Sequence, residues 1–183
     1  VQWRRKNVVG VTARAIDVQA LARAQRRLAL AAEAPWLHRE IATRMAERLV
    51  LMKSQPQTVL DWWARSGGGH AALAAAYPNA AVHDVETNAV ARHLSAQPLP
   101  PWWRRLMQPS TTLLSEDALV QGGAQLVWAN MVLHHCADPG ALMTQWRRAL
   151  AVEGFVMLST LGPDTLSLLR QLYRDAGWGE AHA

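Results

Sequence analysis

The chain has 183 residues, half of them hydrophobic and 18% charged, with one cysteine and a formal net charge of +5. That length suits one sizeable core rather than two, and the composition makes a soluble globular domain the default class. No apolar run approaches the roughly 20 residues of a membrane span, the start lacks the apolar core of a secretory signal, and the lone Cys136 excludes an internal disulfide, so the chain reads as cytoplasmic and not membrane-bound. The charge is uneven: residues 1–53 carry eleven Lys/Arg against four Asp/Glu, and residues 54–183 carry eight against ten. A basic first third suggests an acidic partner, with a solvated helical face as the plainer alternative.

In chain order, apolar residues recur at helical spacing from about Ala13 to Ala32 and from Trp36 to Met52, where Leu37, Ile41, Met45 and Leu49 form one stripe. Pro35 suits the start of the second helix. The break at Ser54-Gln55-Pro56 divides a basic helical segment, 1–54, from an α/β domain, 55–183. Strands are expected at 57–62, 80–85, 111–115, 125–130 and 154–160, and helices near 69–77, 87–95, 139–150 and 163–176. This alternation predicts a doubly wound, mainly parallel α/β sheet with helices on both faces. The proline-broken stretch from Gln97 to Pro109 reads as a loop. Ligands in such folds gather at the carboxyl ends of the strands, where Asp61, Asp84 and Asn130 fall.

Three stretches carry a family resemblance: "VLDWWARSGGGHAALAAAYPNAAVHDVE", "QLVWANMVLHHCADPGALMTQWRRAL" and "GFVMLSTLGPDTLSLLRQLY". In order and content they resemble the class I S-adenosylmethionine-dependent methyltransferases, and more narrowly the malonyl-[acyl-carrier protein] O-methyltransferase group of biotin synthesis. The phrase "STLGPDTL" after the fifth strand is the most specific match, and the upstream "HREIATRMAERL" fits the family's helical lead-in. The resemblance implies a Rossmann-like sheet of seven strands, S-adenosylmethionine as cofactor, and methyl transfer to the free carboxylate of a malonyl thioester on acyl carrier protein. This chain ends after the helix that follows its fifth strand, so an open sheet edge, and self-association through it, are expected.

The family's first loop reads acidic-x-Gly-x-Gly-x-Gly. Counted from Asp61, glycine is kept only at Gly67, and Trp63 and Arg65 stand at the other two positions. A ring and a cation where the backbone should approach a sulfonium cofactor predict weak or lost binding and leave catalysis uncertain. Asp84 matches the acid that holds the ribose hydroxyls, with Glu86 a near competitor, and Asp117 matches the acid that faces the adenine amino group. Asn130 ends the fourth strand, and His134 is a candidate for the acceptor pocket. The resemblance names no catalytic residue. Arg23, Arg26, Arg27, Arg44 and Arg48 could meet an acidic acyl carrier protein.

Other chemistries are weaker. His134, His135 and Cys136 are adjacent, lack zinc-ligand spacing, and no metal is expected. Ser66 and Ser159 have no recognisable His and Asp partners. "PPWWRR" could touch nucleic acid, but no nucleic-acid-binding module accompanies it. Two functional alternatives stand beside methyl transfer: a catalytically silent binding module, and an arginine-modifying protein like the assembly factors of respiratory complex I.

Overall fold

Five short β-rich runs pair into one wholly parallel sheet in the order β3-β2-β1-β4-β5. The strands are β1 (Thr58–Trp62), β2 (Ala81–Glu86), β3 (Thr112–Ser115), β4 (Ala124–Asn130) and β5 (Leu150–Ser159). This computed structural model describes residues 17–86, 89–95, 112–115, 121–162 and 164–178. Asp117 and the loop expected over Gln97–Pro109 lie outside the described residues.

The helices are α1 (Val18–Leu30), α2 (Trp36–Leu49), α3 (Ala64–Gly67), α4 (His70–Ala76), α5 (Ala89–Ser95), α6 (Pro139–Ala149) and α7 (Ser167–Asp175). Asp17 starts α1 by accepting hydrogen bonds from the backbone N–H groups of Gln19 and Ala20, and Asp138 does the same for α6 through Ala141. α2 ends three residues earlier than the apolar spacing suggests, because Val50, Leu51 and Met52 turn outward and remain exposed. β5 begins earlier than expected. Its first residues precede a register shift opposite Ala124–Leu126, and regular pairing resumes at Phe155.

Alternation along the buried strands sorts the core into two layers. On one face Val59, Val82, Leu126 and Trp128 pack with Ala42, Met45 and Leu49 of α2 and with Leu73 of α4. On the other, Leu60, Trp62, Val85 and Val127 pack with Leu142, Trp146 and Ala149 of α6. Trp62 and Trp146 meet edge to face, with ring centroids 5.9 Å apart. The fold is therefore doubly wound, as the sequence pattern implies. α7 is different: it buries none of its residues, and Leu168 and Leu172 are exposed. No helix among the described residues is long and apolar enough to cross a membrane.

α4 starts where it does because Gly69 lies against the indole of Trp128. A Cβ at residue 69 would sit 2.3 Å from Trp128 Nε1, and Trp128 is fully buried and cannot retreat. Gly69→Ala should therefore destabilise the fold by about 1–3 kcal/mol, the usual range for overpacking a rigid core. The urea-unfolding midpoint measures this, and an unchanged midpoint would show that α4 is free to shift.

Candidate functional site

The turn after β1 is built without glycine at its tightest point. Trp63 itself takes the left-handed conformation, φ 54° and ψ 48°, which costs a non-glycine residue roughly 1 kcal/mol. Its backbone N–H donates to the Val85 carbonyl, and its half-buried ring packs into the layer holding Trp62 and Val85. The one-turn helix α3 follows and is capped by Gly68, also left-handed. Glu86 holds this turn from β2, its Oε1 accepting from the Arg65 N–H at 2.8 Å. Glu86 is thereby committed to the turn, and Asp84 is the acid with an open edge, its side chain 21% exposed.

Arg65 does not point where the sequence suggested. Its guanidinium turns away from the strand ends and donates to the carbonyls of Ala29 and Ala31 at the end of α1, the second at 3.0 Å. α1 thus lies over the turn, and Gln25 ties it further to the His135 carbonyl. The cleft left between α1, the turn and α5 is lined by Leu28, Ala29, Trp63 and Ala91 and measures about 20 Å³, room for about one water.

Asp61 lies opposite Asp84 in register, and both project to the face covered by α4. Asp61 is wholly buried, and among the described residues neither of its oxygens has a hydrogen-bond partner. Burial first, and then the carboxylates of Asp84 and Glu86, push its carboxyl well above the usual carboxylate range. His70, the first residue of α4, points its Nδ1 at Asp84 Oδ1, 3.3 Å away. That hydrogen bond raises the His70 pKa, burial opposes the rise, and the Asp84 charge adds to it. Sequence reasoning missed His70. Its only signal was its place directly after three glycines, at a helix start facing the second strand.

Asn130 is placed at the same strand ends, but its amide is already engaged. Nδ2 donates to the carbonyls of His38 and Gly67 at 2.7 and 2.6 Å, and Oδ1 accepts from Ser159 Oγ at 2.6 Å. Ser159 Oγ also accepts the Met131 N–H. Ser159 therefore acts as a link between β4 and β5. His134 lies beside this knot, with its ring 4.1 Å from His135 and 6.5 Å from His38. Of the sequence-selected residues, Asp61, Trp63, Gly67, Asp84 and Asn130 converge at the strand ends. The Arg65 head group leaves them, and His134 sits to the side.

No protein-family model matches the chain. Among curated proteins it is similar to malonyl-[acyl-carrier protein] O-methyltransferases. Identity with that of Gallionella capsiferriformans strain ES-2 is 34% over 143 residues, covering 75% of this chain and 49% of the relative. For that of Laribacter hongkongensis strain HLHK9 it is 36% over 143 residues, with 75% and 48% covered. The chain spans about half the length of these curated relatives. A solved structure of the plantazolicin methyltransferase BpumL in complex with S-adenosylhomocysteine superposes with a TM-score of 0.54 at 13% identity, covering 85% of this chain and 57% of that one. That likeness shows the fold.

The histidine group gives a pH prediction. Burial, then the neighbouring His135 and His38, lower the His134 pKa to about 4. His134 is thus held neutral in the folded state, and its contribution is complete above the unfolded value near 6.5. Stability should fall as pH drops from about 6.5 towards 4, and His134→Gln should make that fall shallower. Urea midpoints at pH 7 and pH 5 test this, and equal slopes for the two proteins would sink it.

Proposed function

We propose that the chain, which is similar to malonyl-[acyl-carrier protein] O-methyltransferases over about half their length and shares a methyltransferase fold, serves methyl transfer from S-adenosylmethionine to the carboxylate of a malonyl thioester on acyl carrier protein. The observation that carries this reading is Asp84. Its carboxylate stands partly open two residues before the end of β2, one strand from the turn that follows β1, while its competitor Glu86 is occupied. Two acceptor oxygens suit the paired hydroxyls of a ribose. Asp84 would exchange its His70 contact for those hydroxyls.

Bound S-adenosylmethionine supplies an electrophilic methyl group. The acceptor carboxylate is already ionised at neutral pH, so the protein needs no general base. Its contribution is to align oxygen, carbon and sulfur and to keep water out. α1 is the element that excludes water, and it also restricts entry. A cofactor of this size needs several hundred Å³ against the present 20 Å³, so α1 must move aside for binding. The Arg65 bonds to Ala29 and Ala31 oppose that movement, and charge-assisted bonds of this kind contribute about 1.5–3 kcal/mol each.

Arg65→Ala should therefore strengthen S-adenosylhomocysteine binding by about tenfold or more, 1.4 kcal/mol per decade. Asp84→Asn, added to it, should remove the gain. Calorimetry on both variants measures this. A folded Arg65→Ala protein that binds nothing would favour the silent binding module, the reading supported by Trp63 at the glycine position.

For the protein partner, Arg23, Arg26 and Arg27 form an exposed stripe on α1, and the exposed Arg44 and Arg48 lie on α2. An acidic acyl carrier protein would dock against them. Replacing Arg23, Arg26 and Arg27 with Glu should weaken capture of acyl carrier protein and flatten its salt dependence, since steering by exposed charge is screened within about 10 Å at 0.1 M salt. Unchanged capture at low salt would exclude this face.

A further inference from the structure

The cluster near the ends of β1 and β2 contains two residues, Asp61 and His70, to which the proposed methyl transfer gives no role. Asp61, His70 and Asp84 each offer one donor atom, and the three atoms lie within 4.8 Å of one another. Their surroundings differ. His70 is 47% exposed and Asp84 21% exposed at the side chain, while Asp61 is wholly buried and, among the described residues, has both oxygens unpartnered. The neighbouring groups do not relieve it. Glu86 is a third acid committed to the Arg65 N–H, and the Arg65 guanidinium faces α1. A buried carboxylate without a donor or counter-charge is a rare and costly arrangement, and coordination of a cation is one of the standard ways in which proteins relieve it.

We propose that Asp61, His70 and Asp84 form a binding site for one first-row divalent cation, zinc in preference to magnesium or calcium. Imidazole nitrogen selects such ions, whereas magnesium and calcium take all-oxygen sets. Zinc holds nitrogen and oxygen ligands at about 2.0–2.2 Å, so two donors on one tetrahedral ion stand about 3.3–3.6 Å apart. His70 Nδ1 and Asp84 Oδ1 are already 3.3 Å apart. Rotation of these two partly exposed side chains towards the buried Asp61 completes the set, and water takes the remaining position. Gly69 supports the arrangement, because its close seat on Trp128 sets the start of α4 and so the place of His70. The inference rests on this geometry and not on methyl transfer. It has a consequence for that reaction all the same: the cation and a ribose would compete for the Asp84 carboxylate.

The test is a cobalt(II) titration of the chelator-stripped chain, followed by visible absorption, with zinc as competitor in calorimetry. One equivalent should bind and be displaced by zinc. His70→Gln and Asp84→Asn should each weaken binding by more than tenfold, and Asp61→Asn should abolish it. If Asp61→Asn does not fold, the two partly exposed variants decide the matter. Binding that survives His70→Gln in a folded protein, or that is lost instead on replacing His134 and His135, would overturn the proposal. So would the absence of stoichiometric binding.

Discussion

The side-chain amide of Asn130 joins four parts of the molecule through one small group. Its two N–H bonds reach the His38 carbonyl in α2 and the Gly67 carbonyl in the turn after β1, and its oxygen takes the Ser159 hydroxyl from β5. Asn130 is 1% exposed, so these bonds are shielded from water and correspondingly strong. A Cβ at Gly67 would lie 3.4 Å from the Asn130 carbonyl, so the turn passes very near the end of β4. α2, the turn and β5 are all tied to this one residue. His38 adds a parallel bond, its Nδ1 donating to the Ser66 carbonyl at 2.7 Å.

With the turn anchored there, its unusual sequence becomes workable. Trp62 fills the core beside Trp146, and Trp63 accepts a left-handed backbone that glycine would adopt without strain. Arg65 then leaves the strand ends and satisfies carbonyls at the end of α1 that would otherwise lack partners. The charge at this position therefore acts on the helix above the site rather than on a ligand within it. A residue that looked like a cofactor's electrostatic opponent is a fastener for the element that closes the cleft.

The same rearrangement leaves the acids unequal. Asp61, Asp84 and Glu86 sit close together, but Glu86 receives a backbone N–H, Asp84 receives His70, and Asp61 receives nothing among the described residues. Without a donor, only neutralisation by a proton or a cation can settle Asp61, and its raised pKa expresses that. Of the three, Asp84 keeps an open edge beside the exposed His70, while Glu86 lines the cleft beneath α1.

Much of this was legible in the sequence. Short β-rich runs located the five strands, because a sheet covered on both faces must be apolar along its length. The position of Asp61, Asp84 and Asn130 followed from where those runs end, and the order of motifs pointed to the malonyl-[acyl-carrier protein] O-methyltransferase group to which the curated relatives belong. What each residue touches was not legible. Arg65 and Ala29 are 36 residues apart, and Asn130 and His38 are 92 apart. Such contacts depend on how helices settle on the finished sheet. His70 escaped notice for the same reason: its neighbours Asp61 and Asp84 lie on two strands, and only their parallel register brings them to the start of α4. The sequence by itself determined the sheet, its strand ends and the acids placed there, since these follow from local pattern. The direction of Arg65, the engagement of Asn130 and the isolation of Asp61 were decided by tertiary packing, because hydrogen-bond partners distant in sequence are chosen only when the layers close.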